Sequence, residues 1–218
     1  MKYIYCLGLF LFISTTSYGQ YSTRYLYKPY DYDTLQGFRV GIVPSALINR
    51  WLGYQGKVSY RFGRYEVELN AGYLKGTDNA EPYHGYRIRP VYKIYTVEDG
   101  NGAYYWGIGA LLRQLNIDAD GTFSRFNNSF FQTLDFELDQ RMLGGYGLFG
   151  VLMPLYKDRF FLDFYVAGGF AQLKTQHFNI PDDAELLYDL PFFSVDSRGA
   201  GSLRYPIALV HISFSVQL

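Results

Sequence analysis

The sequence predicts an all-β chain, an eight-stranded antiparallel up-and-down transmembrane β-barrel, with ten strands as the alternative. Three observations point there. Aromatic residues make up 20% of the 218 positions, with 23 Tyr, 18 Phe and 23 Gly, a composition that favours strands and tight turns over helices. Beyond the first twenty residues, no segment offers the ~18 consecutive apolar residues of a membrane-spanning helix. Most of the candidate segments split into an apolar and a polar set at alternate positions, which is the period of a strand.

The opening residues, MKYIYCLGLFLFISTTSYGQ, have the three parts of a secretory leader. Lys2 is followed by an apolar run from Ile4 to Ile13, and Ser17 and Gly19 form a small-x-small cleavage site. The expected division is a leader over 1–19, a Tyr-rich periplasmic segment over 20–35 and the barrel over 36–218. Cys6 is the single cysteine and leaves with the leader, so no disulfide is expected. Twenty basic residues balance twenty acidic ones, which gives no basis for a nucleic-acid partner.

The strands follow in order. GFRVGIV sets Phe38, Val40 and Ile42 against Arg39. GKVSYRF sets Val58, Tyr60 and Phe62 against Lys57 and Arg61. RYEVELNAGYL sets Tyr65, Val67 and Leu69 against Glu66, Glu68 and Asn70. GYRIRPVYKIY sets Tyr86, Ile88 and Tyr92 against Arg87, Arg89 and Lys93. AYYWGIGALLR, the Gly-rich MLGGYGLFGVLM and FFLDFYVAGGF supply three more, and IALVHISFSVQL closes the set. In the last strand Ala208, Val210, Ile212, Phe214, Val216 and Leu218 oppose His211, Ser213, Ser215 and Gln217.

Short and long connections alternate. Gly63-Arg64, EDGNG and YKDR are tight turns, and long loops are expected at about 45–53, 75–84, 116–140 and 174–204. Membrane barrels sort their connections this way, with long loops outside the cell. Phe62, Tyr65, Tyr95, Tyr104, Tyr156 and Phe160 would form one aromatic belt, and Tyr54, Tyr73, Tyr86, Phe170 and Tyr205 the other. The polar face then becomes an interior. Arg39, Lys57, Arg61, Glu66, Glu68, Arg87, Arg89, Lys93, Arg113, Asp163 and His211 all fall on it, forming an ionic plug in a barrel too narrow for an open pore. Pro90 lies mid-strand without a backbone donor, so a bulge or a local break is expected there.

These patterns, GFRVGIVPSALI, GKVSYRFGRYEVELNAGY, GYRIRPVYKIY and the alternating C-terminal strand, resemble the small outer-membrane β-barrel proteins of Gram-negative bacteria, the OmpA/OmpX-like superfamily. The resemblance covers nearly the whole mature chain. It implies the cell outer membrane as location, the lipid bilayer and lipopolysaccharide as surroundings, and the barrel-insertion machinery as a partner reading the last strand. Members commonly end in Phe, whereas this chain ends in Leu218 with Phe214 four residues earlier.

Three stretches invite a chemical reading. His211-x-Ser213 is similar to the His-x-Ser of lipid A deacylases of the PagL type. Alternation turns both residues inward, near the periplasmic end, so the expectation is no catalytic residue, no enzyme and no cofactor. NIDADGTFS places Asn116, Asp118 and Asp120 at alternate positions before Gly121, as in the start of a calcium loop, but Asn127 stands where the bidentate Glu belongs. A solvated Asp-Gly turn is the plainer reading. In the fourth loop Leu186, Leu187, Leu190, Phe192 and Phe193 form an apolar set, either a docking surface for a protein partner or a flap over the barrel mouth.

Overall fold

The computed structural model describes residues 36–47, 51–78, 81–99, 102–126, 130–156, 159–181, 183–186 and 200–218. The expected leader, the Tyr-rich segment and most of the apolar set of the fourth loop, Leu187, Leu190, Phe192 and Phe193, lie outside the described residues. The strands are β1 (Gly37–Ile42), β2 (Gly53–Phe62), β3 (Tyr65–Asp78), β4 (Glu81–Asp99) and β5 (Gly102–Arg125), then β6 (Phe130–Tyr156), β7 (Phe160–Phe178), the two-residue β8 (Glu185–Leu186) and β9 (Gly201–Gln217). Each barrel strand pairs antiparallel with its sequence neighbour, β7 pairs with β9, and β9 closes on β1 from Arg39↔Gln217 to Ile42↔Phe214. The fold is an eight-stranded β-barrel.

Alternation decides which side of the wall each residue takes. Phe38, Tyr60, Phe62, Val67, Leu69, Trp106, Ile108, Val166 and Val210 are exposed on the outer wall. Their strand neighbours Arg39, Arg61, Glu66, Glu68, Asn70, Tyr105 and His211 are buried inside. On β7 the outward series runs from Phe160 to Phe170 before Gln172 and Lys174 follow. Ten residue steps of about 3.3 Å, on a strand tilted by about 40°, give an apolar height of about 25 Å, the value for the apolar band of a membrane barrel.

Two of the expected long loops are largely strand. The connection at 75–84 shrinks to residues 79–80, because β3 and β4 stay paired as far as Asp78↔Glu81. Most of 116–140 is a hairpin in which β5 and β6 remain in register from Ala103↔Leu152 to Arg125↔Phe130. The pattern here keeps its period but reverses its sense. Below, apolar residues face out and polar ones in. Above Arg113, Leu115, Ile117, Ala119 and Phe123 turn inward, while Asp118 and Asp120 turn outward. A strand in water must bury its apolar side. The fourth connection is shortened from both ends, since β7 runs to Phe178 and β9 starts at Gly201. Where β4 ends, β8 takes its place beside β5 at Phe123↔Leu186 and Ser124↔Glu185.

Pro90 produces a local break. Its pairing with Leu69 of β3 is kept, but the β4–β5 ladder lapses between Ile88↔Leu112 and Val91↔Gly109 and resumes in the same register. The irregularity that shifts β4 lies further along, between Tyr95 and Val97. At the seam, β1 ends at Ile42 while β9 runs on. Beyond that point the Ser45 hydroxyl accepts from the Ile212 amide at 3.1 Å and lies 3.3 Å from its carbonyl. Ser45 belongs to a 3-10 turn, Pro44–Leu47, that folds against the barrel.

Candidate functional site: a layered barrel interior

The chemistry of this chain is concentrated inside the barrel, in three layers. The lowest is a closed ionic network. Lys93 Nζ lies 2.6 Å from Glu68 Oε2 and 2.5 Å from Asp163 Oδ2. Lys57 Nζ bonds the same Asp163 oxygen, lies 2.8 Å from Glu68 Oε2 and donates to the Ser213 hydroxyl at 3.1 Å. Arg39 and the Tyr95 hydroxyl both donate to Glu66 Oε2, and the Tyr105 hydroxyl donates to Asp163 Oδ1. Side chains of β1, β2, β3, β4, β5, β7 and β9 take part, all buried. Within the network three cations face three carboxylates; Arg61, a fourth buried cation, lies at its lower edge.

Register explains the pairing. Lys57 stands opposite Asn70 on β3, with Glu68 one inward position away. Glu66 stands opposite Arg61 on one side and Lys93 on the other. Acidic β3 between basic β2 and β4 therefore sets unlike charges side by side on one face. Arg61 turns to the turn below, donating to Gly63 O at 3.0 Å with its guanidinium 3.9 Å from the Tyr95 ring.

The middle layer is cationic. Arg89 reaches Gln55 Oε1 at 3.1 Å and His211 Nδ1 at 3.2 Å. Arg87 donates to the Trp51 carbonyl at 3.4 Å, and Arg113, its partner in the β4–β5 register, lies 5.6 Å from the Trp51 ring. His211 stacks on Tyr165, with ring centroids 4.3 Å apart. A guanidinium has no acceptor, so Nδ1 of His211 accepts from Arg89 and the ring hydrogen belongs on Nε2.

The top layer is apolar and closes the barrel. Trp51, Leu74, Tyr83, Leu115, Ile117, Ala119, Phe123, Phe136 and Leu138 form one buried cluster. Trp51 and Tyr83 meet edge to face at 5.0 Å, and the Tyr83 hydroxyl accepts from the Leu52 amide at 2.8 Å.

Among the belt members whose side chains are described, which leaves out Tyr156, two lie inside. Tyr95 is buried, its hydroxyl donating to Glu66 and its ring lying against the Arg61 guanidinium, since it shares the inward parity of Arg89 and Lys93. Tyr205 faces inward, its hydroxyl 3.2 Å from Met142 Sδ. The interior tyrosines went unnoticed in the sequence. The signal for them is the glycines: a Cβ on Gly109 would meet the Tyr146 ring, and one on Gly150 the Tyr105 ring. Gly109 and Gly150 make room for rings across the strand pair.

The chemical candidates resolve as follows. His211 and Ser213 are both fully buried, and Ser213 bonds Lys57. Ligand atoms of Glu68, Asp163 and His211 lie within 4.8 Å of one another, a spacing open to a metal ion. The ammonium groups of Lys57 and Lys93 already bridge the two carboxylates, however, and His211 Nδ1 is turned to Arg89. Neither the Asp-Gly turn expected at 116–121 nor the start of a calcium loop forms there. Asn116, Asp118 and Asp120 lie on regular β5, opposite Asp139, Glu137 and Asp135 of β6. An extended strand spreads alternate side chains about 7 Å apart in a row, where a calcium loop curls them around one point. Leu186 lies in β8, outside the ring.

No family model matches the chain, and no curated protein matches it. Among solved structures, the chain is similar to the crystal structure of Acinetobacter baumannii CarO at 14% identity, over 84% of this chain and 97% of that one, with a TM-score of 0.35. A likeness at that score carries no weight for fold or function, which rest on the geometry above.

Proposed function

We propose that this chain is an outer-membrane β-barrel of the small OmpA/OmpX-like kind, without enzymatic activity. Its role is structural or surface-binding, through the β5–β6 hairpin and the 174–204 connection. One observation carries the reading. The outer wall presents an unbroken apolar surface about 25 Å high, while the charged residues of the same strands lie inside. A soluble barrel has the reverse arrangement.

Several features support the details. Phe62, Tyr65, Tyr104 and Phe160 ring the lower edge of the wall, and Tyr54, Tyr73, Tyr86 and Phe170 the upper, at the levels of two headgroup regions. Above them Arg141, Lys174 and Arg204 face outward, suited to the phosphates of lipopolysaccharide. The crossed ion pairs favour a plug over a conducting pore. The acceptor nitrogen of His211 is taken by Arg89, which leaves no base for Ser213. The leader fits export, and the apolar face of β9 fits recognition by the insertion machinery.

The two tryptophans give a direct test. Trp106 is 48% exposed on the wall, and Trp51 is buried beneath the hairpin. In vesicles containing lipids brominated on their acyl chains, fluorescence of the W51F variant, which retains Trp106, should be quenched strongly. The W106F variant should be nearly unaffected. Equal quenching of both, or recovery of the protein in the soluble periplasmic fraction, overturns the reading.

A further inference from the structure

The balance of charge stops at the lower layer. Lys57, Lys93 and Arg39 are matched by Glu66, Glu68 and Asp163. Above them, Arg87 and Arg89 have no carboxylate partner among the described residues; their acceptors are a carbonyl, an amide oxygen and a neutral imidazole. Both are more than nine-tenths buried. Alternation puts them two residues apart on one face of β4, their Cα atoms about 7 Å apart.

The groups around them are donors as well. Gln55 gives its oxygen to Arg89, so its Nε2 is a donor, and that atom has no partner. The Nε2–H of His211 and Nε of Arg89 are buried without partners too. Water can satisfy a buried hydrogen-bond donor, but it cannot neutralise a buried guanidinium, and an uncompensated charge in a barrel core is costly. Donors and positive charge outnumber acceptors here, Asn70 Oδ1 opposite Arg89 being an unpartnered acceptor, and that excess describes a site for a negative ion.

We propose that the barrel binds a small inorganic anion between Arg87 and Arg89, at the level of Gln55 and His211. The Trp51–Tyr83 pair lies above this level, and below it are the carboxylates of Glu68 and Asp163, held by Lys57 and Lys93. Charge-assisted bonds from two guanidiniums hold the ion, and the imidazole and amide donors fix its position. The inference rests on the interior alone and does not require the membrane reading.

Bromide is the probe. Crystals of the full chain grown in bromide should show an anomalous peak within hydrogen-bond distance of Arg87 or Arg89. In detergent, the thermal midpoint should rise with bromide at constant ionic strength held by gluconate. The midpoint of that bromide dependence should move at least about tenfold higher in R89Q, given the strength of a guanidinium–anion contact. Gel mobility before and after boiling checks that the variant is folded. If R89Q does not fold, the wild-type crystal and titration decide alone. No interior bromide peak, a midpoint equal in bromide and gluconate, or an unchanged bromide dependence in folded R89Q overturns the proposal.

Discussion

Lys93 and Asp163 meet across the barrel interior, Nζ 2.5 Å from Oδ2, from β4 and β7, three strands apart around the ring. Asp163 also serves Lys57 and Tyr105, so one carboxylate holds together β2, β4, β5 and β7. Removing one member of a buried ionic network leaves its partners charged and unpaired, which costs about 3–5 kcal/mol. Asp163→Asn should therefore lower unfolding stability in urea by that order. Asp139→Asn, whose partner Arg141 is 62% exposed, should cost under about 1 kcal/mol. Similar losses for the two variants would refute the network's role as the tie between strands.

Neighbouring glycines on β7 offer a test of which face is which. A Cβ on Gly169 would fall 2.0 Å from the Gly145 carbonyl oxygen and 2.6 Å from Tyr146 Cα, whereas one on Gly168 meets nothing within 4 Å. Gly169→Ala should cost about 1–3 kcal/mol by overpacking, and Gly168→Ala should be close to neutral. The reverse order would mean that β7 is out of register.

His211→Ala and Ser213→Ala should leave the mass spectrum of lipid A from expressing cells unchanged. His211→Ala should still lower the thermal midpoint, because the Tyr165 stack is lost and Arg89 loses an acceptor. A deacylation product that disappears in either variant would establish an enzyme.

At the hairpin tip, Arg125 Nε donates to Asp183 Oδ2 at 2.8 Å and the Phe126 amide donates to the same oxygen at 3.3 Å. The hydrogen bond from Arg125, followed by that from Phe126, holds the Asp183 carboxyl below its ordinary range. A depressed folded-state value means that the contact's contribution is present above the unfolded value and is lost as pH falls through the folded one. The Phe126 amide resonance should titrate with a midpoint below about 3.9, the ordinary Asp value, and should not titrate in Asp183→Asn. A midpoint at or above that value would mean that the tip contact does not form in solution. The group is exposed, so the effect on global stability should be small.

Alternation made the fold legible, since each of Phe38, Val58, Leu69 and Val210 announces by position alone which side its neighbours take. The same rule hid the hairpin. Leu115, Ile117 and Phe123 keep the strand period, but the apolar set changes sides once the strand leaves the band, so the segment reads as a loop with acidic turns. Tyr95 shares the parity of Arg89 and Lys93, which sends it inward, and only its nearness to the short turn suggests the belt. Tyr205 was placed by its nearness to a loop rather than by its parity, which it shares with His211. The cationic residues were visible one by one. Their separation into a balanced network and an unbalanced layer depends on the height at which each strand carries them, which only the register supplies.

The reversal of sides at Arg113–Leu115 also marks a waterline. In a bilayer, a slide of the barrel outward by one residue pair would lift the Leu143 and Phe170 rows into water. A slide inward would draw Arg141 and Lys174, directly paired between β6 and β7, into hydrocarbon. The penalty for such a cation grows from about 0–1 kcal/mol at the interface to about 2–4 kcal/mol at the midplane. Neither movement is favourable, so the strands carry their own draught mark: the chain fixes how deep it floats, and with it how far the β5–β6 hairpin stands clear of the surface.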